Sequence, residues 1–391
     1  IISNNYKENL GINIDIKAST SRKEALDGAT FCIISIEVGK RFDLWDQDWK
    51  IPLQYGFRQV YGENGGPGGL FHSLRQIPPI IDICEDINSI CPDAIVFNFS
   101  NPMQRICHSV TTKFPDLKFI GMCHEIASME RQLPDLMETE MQNIEFRAAG
   151  LNHLSILLEA RYKNTGKDGY PIIKQNFETY FSDLINNHDA KPSKPGAERG
   201  VFRKVFETYG YLPITTDSHL GEYIQWAYSV ADHDAILDFY DNYKEKCLAF
   251  YDDKSSYEYF FDPKNTGTHE RVIPIIEGIL SDSGYEEPAV NIPNNGYIAC
   301  LPKDIVVEVP ATVNKSGISG ISFKDYPSAF TSLLNLQSGV IQMTTEAVLN
   351  CSKHAAYLAL LADPLVNDSI QAEKLLDSML QTQSKFLGYL K

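Results

Sequence analysis

The sequence predicts an α/β fold, with a parallel, doubly wound sheet in the first 150 residues and a mixed α+β half after it. Three observations carry this expectation. Short, mostly apolar runs at residues 30–36, 94–99 and 118–120 read as strands buried on both faces. Helical stretches separate them, and strand, helix, strand, helix at this spacing makes a parallel sheet. Past His153 the alternation stops, and polar loops, short strands and helices follow. The expected division is 1–150 and 151–391.

Taken in order, residues 21–26 read as a short helix, with Ser21 followed three positions later by Glu24 in capping-box spacing. The strand at 30–36 comes next. Residues 38–69 are polar, aromatic and glycine-rich, ending in Gly62-Glu63-Asn64-Gly65-Gly66-Pro67-Gly68-Gly69. A helix over about 71–90 is expected to break or kink at Pro78-Pro79. After the strand at 94–99, Asn101 before Pro102 has the usual form of a cap and first helical residue, opening a helix to 114. The third strand ends in the turn Gly121-Met122-Cys123-His124-Glu125. A strand-like run covers 154–162, and a loop is expected at 191–196. Helices are expected at 201–209 and 219–227, and strands within 289–310 around the turn Pro293-Asn294-Asn295-Gly296. From Tyr326 onward apolar residues recur at helical period.

The chain has 391 residues, 43% apolar and 22% charged, with net charge −16. That charge steers nucleic acid and anionic membrane surfaces away, so neither is an expected partner. Eight cysteines show no CxxC pair, which suits buried thiols in a reducing cytoplasm rather than a disulfide framework. No run of about 18 apolar residues suggests a membrane span. The chain opens Ile1-Ile2-Ser3 without an initiator Met, in what reads as the interior of a domain, so an N-terminal segment is expected to be missing; no GxGxxG phosphate loop is visible.

Cys123 and His153 are the expected centre. Both follow strand ends, where open α/β sheets bind ligands. If they meet, they hold one metal ion through sulfur and imidazole, with positions left open for substrate or water. Ligand softness alone points to zinc, iron or cobalt. Asn98 stands inside a buried strand, and Asn101 in the turn after it. Asp217-Ser218-His219-Leu220-Gly221-Glu222-Tyr223 reads as a helix start capped by Asp217 or Ser218, with His219 and Tyr223 on one face. A tyrosine near a metal could also act as a base.

Taken together, Glu63 to Gly69, Asn98-Phe99-Ser100-Asn101-Pro102-Met103, Gly121 to Glu125, Gly150-Leu151-Asn152-His153 and Val290-Asn291-Ile292-Pro293-Asn294-Asn295-Gly296 resemble glycoside hydrolase family 4, the NAD- and manganese-dependent glycosidases. The family is an exception to the two-carboxylate mechanism. The resemblance implies a Rossmann-type NAD-binding domain, truncated here, and an α+β substrate domain, as in lactate and malate dehydrogenases. It implies a homo-oligomer, dimer or tetramer, acting on a small sugar. It also implies a mechanism: hydride passes from sugar C3 to NAD, the C2 proton becomes acidic, a tyrosine removes it, the C1 group leaves, water adds and the hydride returns. Tyr223 matches the tyrosine, with Glu63 at the position that raises its basicity. Cys123 and His153 match the Mn²⁺ ligands, and Asn101 and Asn152 substrate contacts. Ser35, Glu37 and Asn98 are the expected cofactor contacts.

In the phospho-glycosidase branch an aspartate acid follows the metal cysteine. Here that place holds His124, which becomes the catalytic candidate there, while the proton donor is left unassigned. The Cys-His-Glu-Ile string resembles the branch acting on unphosphorylated α-glucosides, α-galactosides or α-galacturonides, and Arg75, Arg105 or Arg203 could fork onto a uronate carboxylate. Two alternatives stand beside this reading: a malate- or lactate-type 2-hydroxyacid dehydrogenase, and a non-catalytic sugar-binding remnant.

Overall fold

The computed structural model describes Lys7, Gly11 and residues 13–186, 199–252 and 270–391; the loop expected at 191–196 lies outside these. Among the described residues there is one eight-stranded sheet. Its strands are β1 Phe31–Ile34, β2 Ile95–Asn98, β3 Lys118–Gly121, β4 Ile144–Leu151, β5 Leu154–Tyr162, β6 Tyr285–Pro293, β7 Val306–Asn314 and β8 Gly317–Gly320. The order is β1-β2-β3-β6-β7-β4-β5, with β8 on β7. Only β1, β2 and β3 pair in parallel; every other pair is antiparallel. The sheet therefore does not stop at residue 150. Strands from the second half cover the edge of β3, which would otherwise expose unpaired backbone groups.

One register row crosses seven strands: Ile34, Asn98, Gly121, Asn291, Glu308, Gly150 and Ser155 are successive cross-strand partners. Beyond Ile34 it contains no apolar side chain, although Asn98, Asn291, Glu308 and Ser155 are all buried. Buried polar groups are tolerated when hydrogen-bonded, and these are: Asn291 Nδ2 donates to Glu308 Oε2 (3.3 Å) and Asn98 Nδ2 to Ser100 O (2.9 Å). Glycine is required at two points of the row. A Cβ on Gly121 would stand 2.6 Å from the sulfurs of Cys107 and Met103, and one on Gly150 2.4 Å from Leu154 O.

The helices depart from expectation in several places. At helix Arg22–Leu26 only half of the capping box forms: Ser21 Oγ accepts from Glu24 N, but the Glu24 carboxylate takes the Ser19 hydroxyl. Residues read as irregular contain helix Arg41–Gln54, whose buried Phe42, Trp45 and Trp49 fall at helical spacing. Helix Gly66–Ile90 runs through Pro78-Pro79 as one element. Pro78 cannot serve the Leu74 carbonyl four residues back, and Tyr389 OH does so instead at 2.7 Å. Helix Met103–Lys113 begins with Pro102 in the cap position and no side-chain cap, after a cis Asn101–Pro102 bond, so Asn101 is free of the capping role. The helices Ser328–Leu349, Lys353–Ala362 and Ser369–Thr382 fulfil the periodic C-terminal pattern.

The 219–227 helix is the other correction. Helix Asp217–Leu220 passes into a 3-10 turn, Gly221–Tyr223, and ends. Thr216 holds the cap position, and Asp217 instead accepts from the backbone N–H groups of Phe202 (3.0 Å) and Asp232 (3.1 Å).

Arg75 is fixed away from any ligand. Its Nη2 lies 2.6 Å from Asp48 Oδ2, both side chains are buried, and Gln383 bridges them at 3.2 Å and 2.8 Å. It reads no uronate. Removing one partner of a buried pair strands the other charge, so Arg75→Met is expected to lose about 3–5 kcal/mol in urea unfolding. Adding Asp48→Asn should restore most of that loss.

Candidate active site

In the register row, β3 and β4 are separated by β6 and β7, three strand spacings or about 14 Å. Yet Cys123 Sγ and His153 Nε2 stand 3.4 Å apart. Cys123 lies two residues beyond β3, and Asn152-His153 form the two-residue turn between β4 and β5, where Leu151 pairs with Leu154. Both segments turn inward over β6 and β7. His153 has φ 138°, a strained conformation that costs on the order of 1–3 kcal/mol and persists only where packing enforces it. Here His153 is buried and stacks on His219, ring centroids 4.7 Å apart, while Tyr61 meets His219 edge-on at 5.7 Å. The Asn152 amide donates to Gln104 Oε1 (3.1 Å), which ties the hairpin tip to helix Met103–Lys113.

The pair fits one metal ion. Bonds of the lengths zinc makes, about 2.3 Å to sulfur and about 2.05 Å to nitrogen, place two donors roughly 3.1 Å apart at a right angle and roughly 3.6 Å at a tetrahedral angle. The observed 3.4 Å lies between. Burial, then the charges of Glu308 and Glu125, push the Cys123 thiol well up, against the Asn152 carboxamide, which favours the thiolate. Burial, His219 and His124 push His153 well down, so its imidazole is neutral. A neutral imidazole is ready to coordinate, and a bound cation converts the thiol to thiolate. Among the described residues no third His, Cys, Asp or Glu joins them, which leaves positions open.

Tyr223 stands beside the pair. Its OH donates to Asn152 O (3.3 Å), and Gln337 Nε2 holds its carbonyl at 3.2 Å. Its place is set by Glu222, whose buried carboxylate accepts from the backbone amides of Gly62 (2.8 Å), Glu63 and Asn64 (3.0 Å). Gly65 permits the approach, since a Cβ there would be 2.7 Å from Glu222 O and 2.9 Å from the Tyr223 ring. Burial raises Glu222 to about 7 against the pull of His219 and these amides. Burial and Glu222 push Tyr223 well up, and Arg105 opposes them.

Glu63 turns its carboxylate to Arg41 Nη2 (2.8 Å) and Asn101 Nδ2 (3.4 Å). Arg41 also bonds Glu37 Oε2 (2.7 Å), and its guanidinium lies 4.8 Å over the Trp45 ring. So Glu63 and Asn101 come together, while Glu37 is already occupied by Arg41 and lies 3.4 Å from His72 Nε2. Ser35, just past β1, is exposed. The Asn98 carboxamide is fully buried and braces the 98–103 turn through Ser100. The Asn152 carboxamide likewise turns inward, to Glu308 Oε2 at 2.7 Å. His124 points outward onto Glu270 Oε1 (3.2 Å), which raises its pKa.

Four residues escaped the sequence reading of roles: Arg41, Gln104, Glu222 and Glu308. Glu308 had a signal, one acid inside the apolar run Ile305-Val306-Val307-Glu308-Val309. Arg105, proposed as a carboxylate fork, is fully buried, and neither Nη has a hydrogen-bond partner. Arg203 pairs with Glu178 at the surface.

The model of the family 4 glycosyl hydrolases matches residues 1–139, and that of their C-terminal domain matches residues 148–366. The chain belongs to glycosyl hydrolase family 4. It is 48% identical over 402 residues to an alpha-glucosidase of Erwinia rhapontici, covering 96% of this chain and 86% of that protein. An alpha-galacturonidase of Thermoanaerobacterium saccharolyticum is 31% identical, with 95% and 83% covered. Among solved structures, a 6-phospho-alpha-glucosidase from gut microorganisms, in complex with NAD and Mn²⁺, superposes with TM-score 0.78 at 21% identity, covering 94% of this chain and 84% of the other. A malate dehydrogenase of Aeropyrum pernix gives 0.50 at 16% identity, with 87% and 83% covered. At these identities the structures show a shared family 4 and dehydrogenase fold. No helix among the described residues is long and apolar enough to cross a membrane.

Glu37 makes the acid behaviour of this site testable. Burial works against its charge, but His72, Arg41 and Arg75 together lower its pKa from 4.5 to about 2. A lowered carboxylate stabilises the fold fully above about pH 4.5, and that contribution is lost as pH falls towards 2. Glu37→Gln is expected to lower stability above about pH 4.5 and to flatten the acid limb of the pH–stability curve, so that variant and wild type converge as pH falls towards 2.

Proposed function

We propose that this family 4 chain hydrolyses unphosphorylated α-glycosides, α-glucosides first, by the family's redox-assisted route. The observation that carries the reading is the 3.4 Å meeting of Cys123 and His153 beside Tyr223. A malate-type dehydrogenase has no use for a thiol held against an imidazole. In this reading residues 1–150 hold NAD at the carboxyl ends of parallel β1, β2 and β3, where the exposed Ser35 follows β1. The buried Asn64 carboxamide, with neither end hydrogen-bonded, offers a bound ligand both a donor and an acceptor. Residues 151–391 supply His153 and Tyr223, and Cys123 completes the Mn²⁺ site from the other half.

When bound, NAD supplies a hydride acceptor at sugar C3 and Mn²⁺ a Lewis acid at the C3 oxygen. The chain does the rest. Tyr223 takes the C2 proton through its phenolic oxygen. Glu222, clamped by three amides, fixes the backbone from which that ring projects. Arg105 works against the burial and the Glu222 charge that raise the pKa of the phenol. Asn101 and Glu63 are paired at 3.4 Å within reach of a sugar hydroxyl. His124 occupies the family's acid position but faces Glu270, so the leaving group takes its proton elsewhere.

The preference for glucosides rests on Arg105 and the 48% identical alpha-glucosidase. Arg105 is the one arginine of the three beside Tyr223, and its charge is already opposed by Asp363 and Glu222. A uronate would find little uncompensated positive charge.

Release of nitrophenol from nitrophenyl α-glucoside is expected to exceed that from the galactoside and galacturonide, and to need both NAD and Mn²⁺. Turnover that survives removal of both would sink the mechanism. Tyr223→Phe should lower kcat by about 10²-fold or more, whereas a purely structural tyrosine would leave turnover of folded protein intact.

A further inference from the structure

The geometry points to Glu308 as the buried counter-charge of the metal site, a positioning residue that makes the Cys123–His153 pair selective for a divalent cation. This rests on the metal reading above and goes beyond its two ligands. Glu308 lies on β7, in the row between Asn291 and Gly150, and is 2% exposed. Its Oε2 accepts from Asn152 Nδ2 (2.7 Å) and Asn291 Nδ2 (3.3 Å), and its Oε1 lies 2.9 Å from Ser155 Oγ. The Ser155 hydroxyl also lies 3.0 Å from Leu151 O, so the two carboxamides are its unambiguous donors. Among the described residues no lysine, arginine or histidine pairs with it.

A glutamine would satisfy the same neighbours. Its oxygen would accept from both carboxamides, and its NH2 would donate to Ser155 Oγ. Burial, then Glu125, raises the pKa of this carboxyl against the pull of Asn152, Ser155 and Asn291, and a charge there is one that none of these neutral partners requires. Buried charges are costly unless a partner of opposite sign is near. The candidate partner is the ion held next door, since the Asn152 whose carboxamide bonds Glu308 immediately precedes His153. Glu125, half-buried and 3.9 Å from His124 Nε2, is a second carboxylate whose charge reaches both Cys123 and Glu308.

Glu308→Gln separates charge from hydrogen bonding. Mn²⁺ titrated calorimetrically into metal-free protein is expected to bind Glu308→Gln about 10–100-fold more weakly than wild type. Metal-free Glu308→Gln should be at least as stable as wild type in urea, because a buried charge is gone. Ser155→Ala, which keeps the charge and loses a hydroxyl, should bind within about threefold of wild type. With Co²⁺ in place of Mn²⁺, the thiolate-to-metal absorption band reports that Cys123 is a ligand in each variant. Equal affinity for Glu308→Gln overturns the proposal. So does a metal-free Glu308→Gln that is destabilised or unfolded, or a Ser155→Ala loss as large as that of Glu308→Gln, since either makes the role one of packing and hydrogen bonds. Wild-type protein that binds neither Mn²⁺ nor Co²⁺ instead removes the metal reading, and this proposal with it.

Discussion

The register of the sheet is the constraint on which the site depends. Gly121, Asn291, Glu308 and Gly150 occupy one row across four strands, and the two candidate ligands emerge a fixed number of residues beyond its ends. A strand that slips by one residue turns every side chain to the opposite face. Such a slip in β3 or β4 would carry Cys123 or His153 away from its partner and drive Glu308 out of reach of Asn152. The two glycines hold the register because a Cβ at either place collides with a neighbour. Hydrogen bonds among Asn291, Glu308 and Asn152 hold it as well, since each would be left buried and unpaired by a shift.

The same logic governs Tyr223. Its segment belongs to no strand and barely to a helix, so local structure does not orient it. Orientation comes from Glu222, whose carboxylate gathers three consecutive amides of the turn before helix Gly66–Ile90. The glycine-rich stretch that looked like a loose loop is thereby a socket for an acid 160 residues away. Its glycines serve close approach, with Gly65 against Glu222 and Tyr223 and Gly69 against Asn64.

Two kinds of residue make up the site. Cys123, His153, Tyr223, Glu63 and Asn101 announce themselves by chemistry at strand ends and turns. Arg41, Gln104, Glu222 and Glu308 act by holding the first group, and their partners lie far off in the chain. No spacing rule links Glu308 to Asn152 or Gln104 to the hairpin tip. Asn98 and Arg75, whose chemistry suggested ligands, both have partners within the protein. Asn98 closes a turn and Arg75 neutralises Asp48, because both sit where burial leaves their polar groups to protein partners.

What the sequence determined by itself was whatever rests on local periodicity and local chemistry: the apolar runs that became β1, β2 and β3, the C-terminal helices, and the delivery of Cys123 and His153 at strand ends. The interrupted helix at 217–223 and the helix at 41–54 were misread because tertiary contacts overrode or supplied their local signals. Tertiary structure alone decided that β6 and β7 would enter between β3 and β4. That insertion is a matter of non-local pairing, in which an open strand edge takes whichever partner satisfies its backbone. From it follow the 3.4 Å approach of sulfur to imidazole and the carboxylate buried beside them.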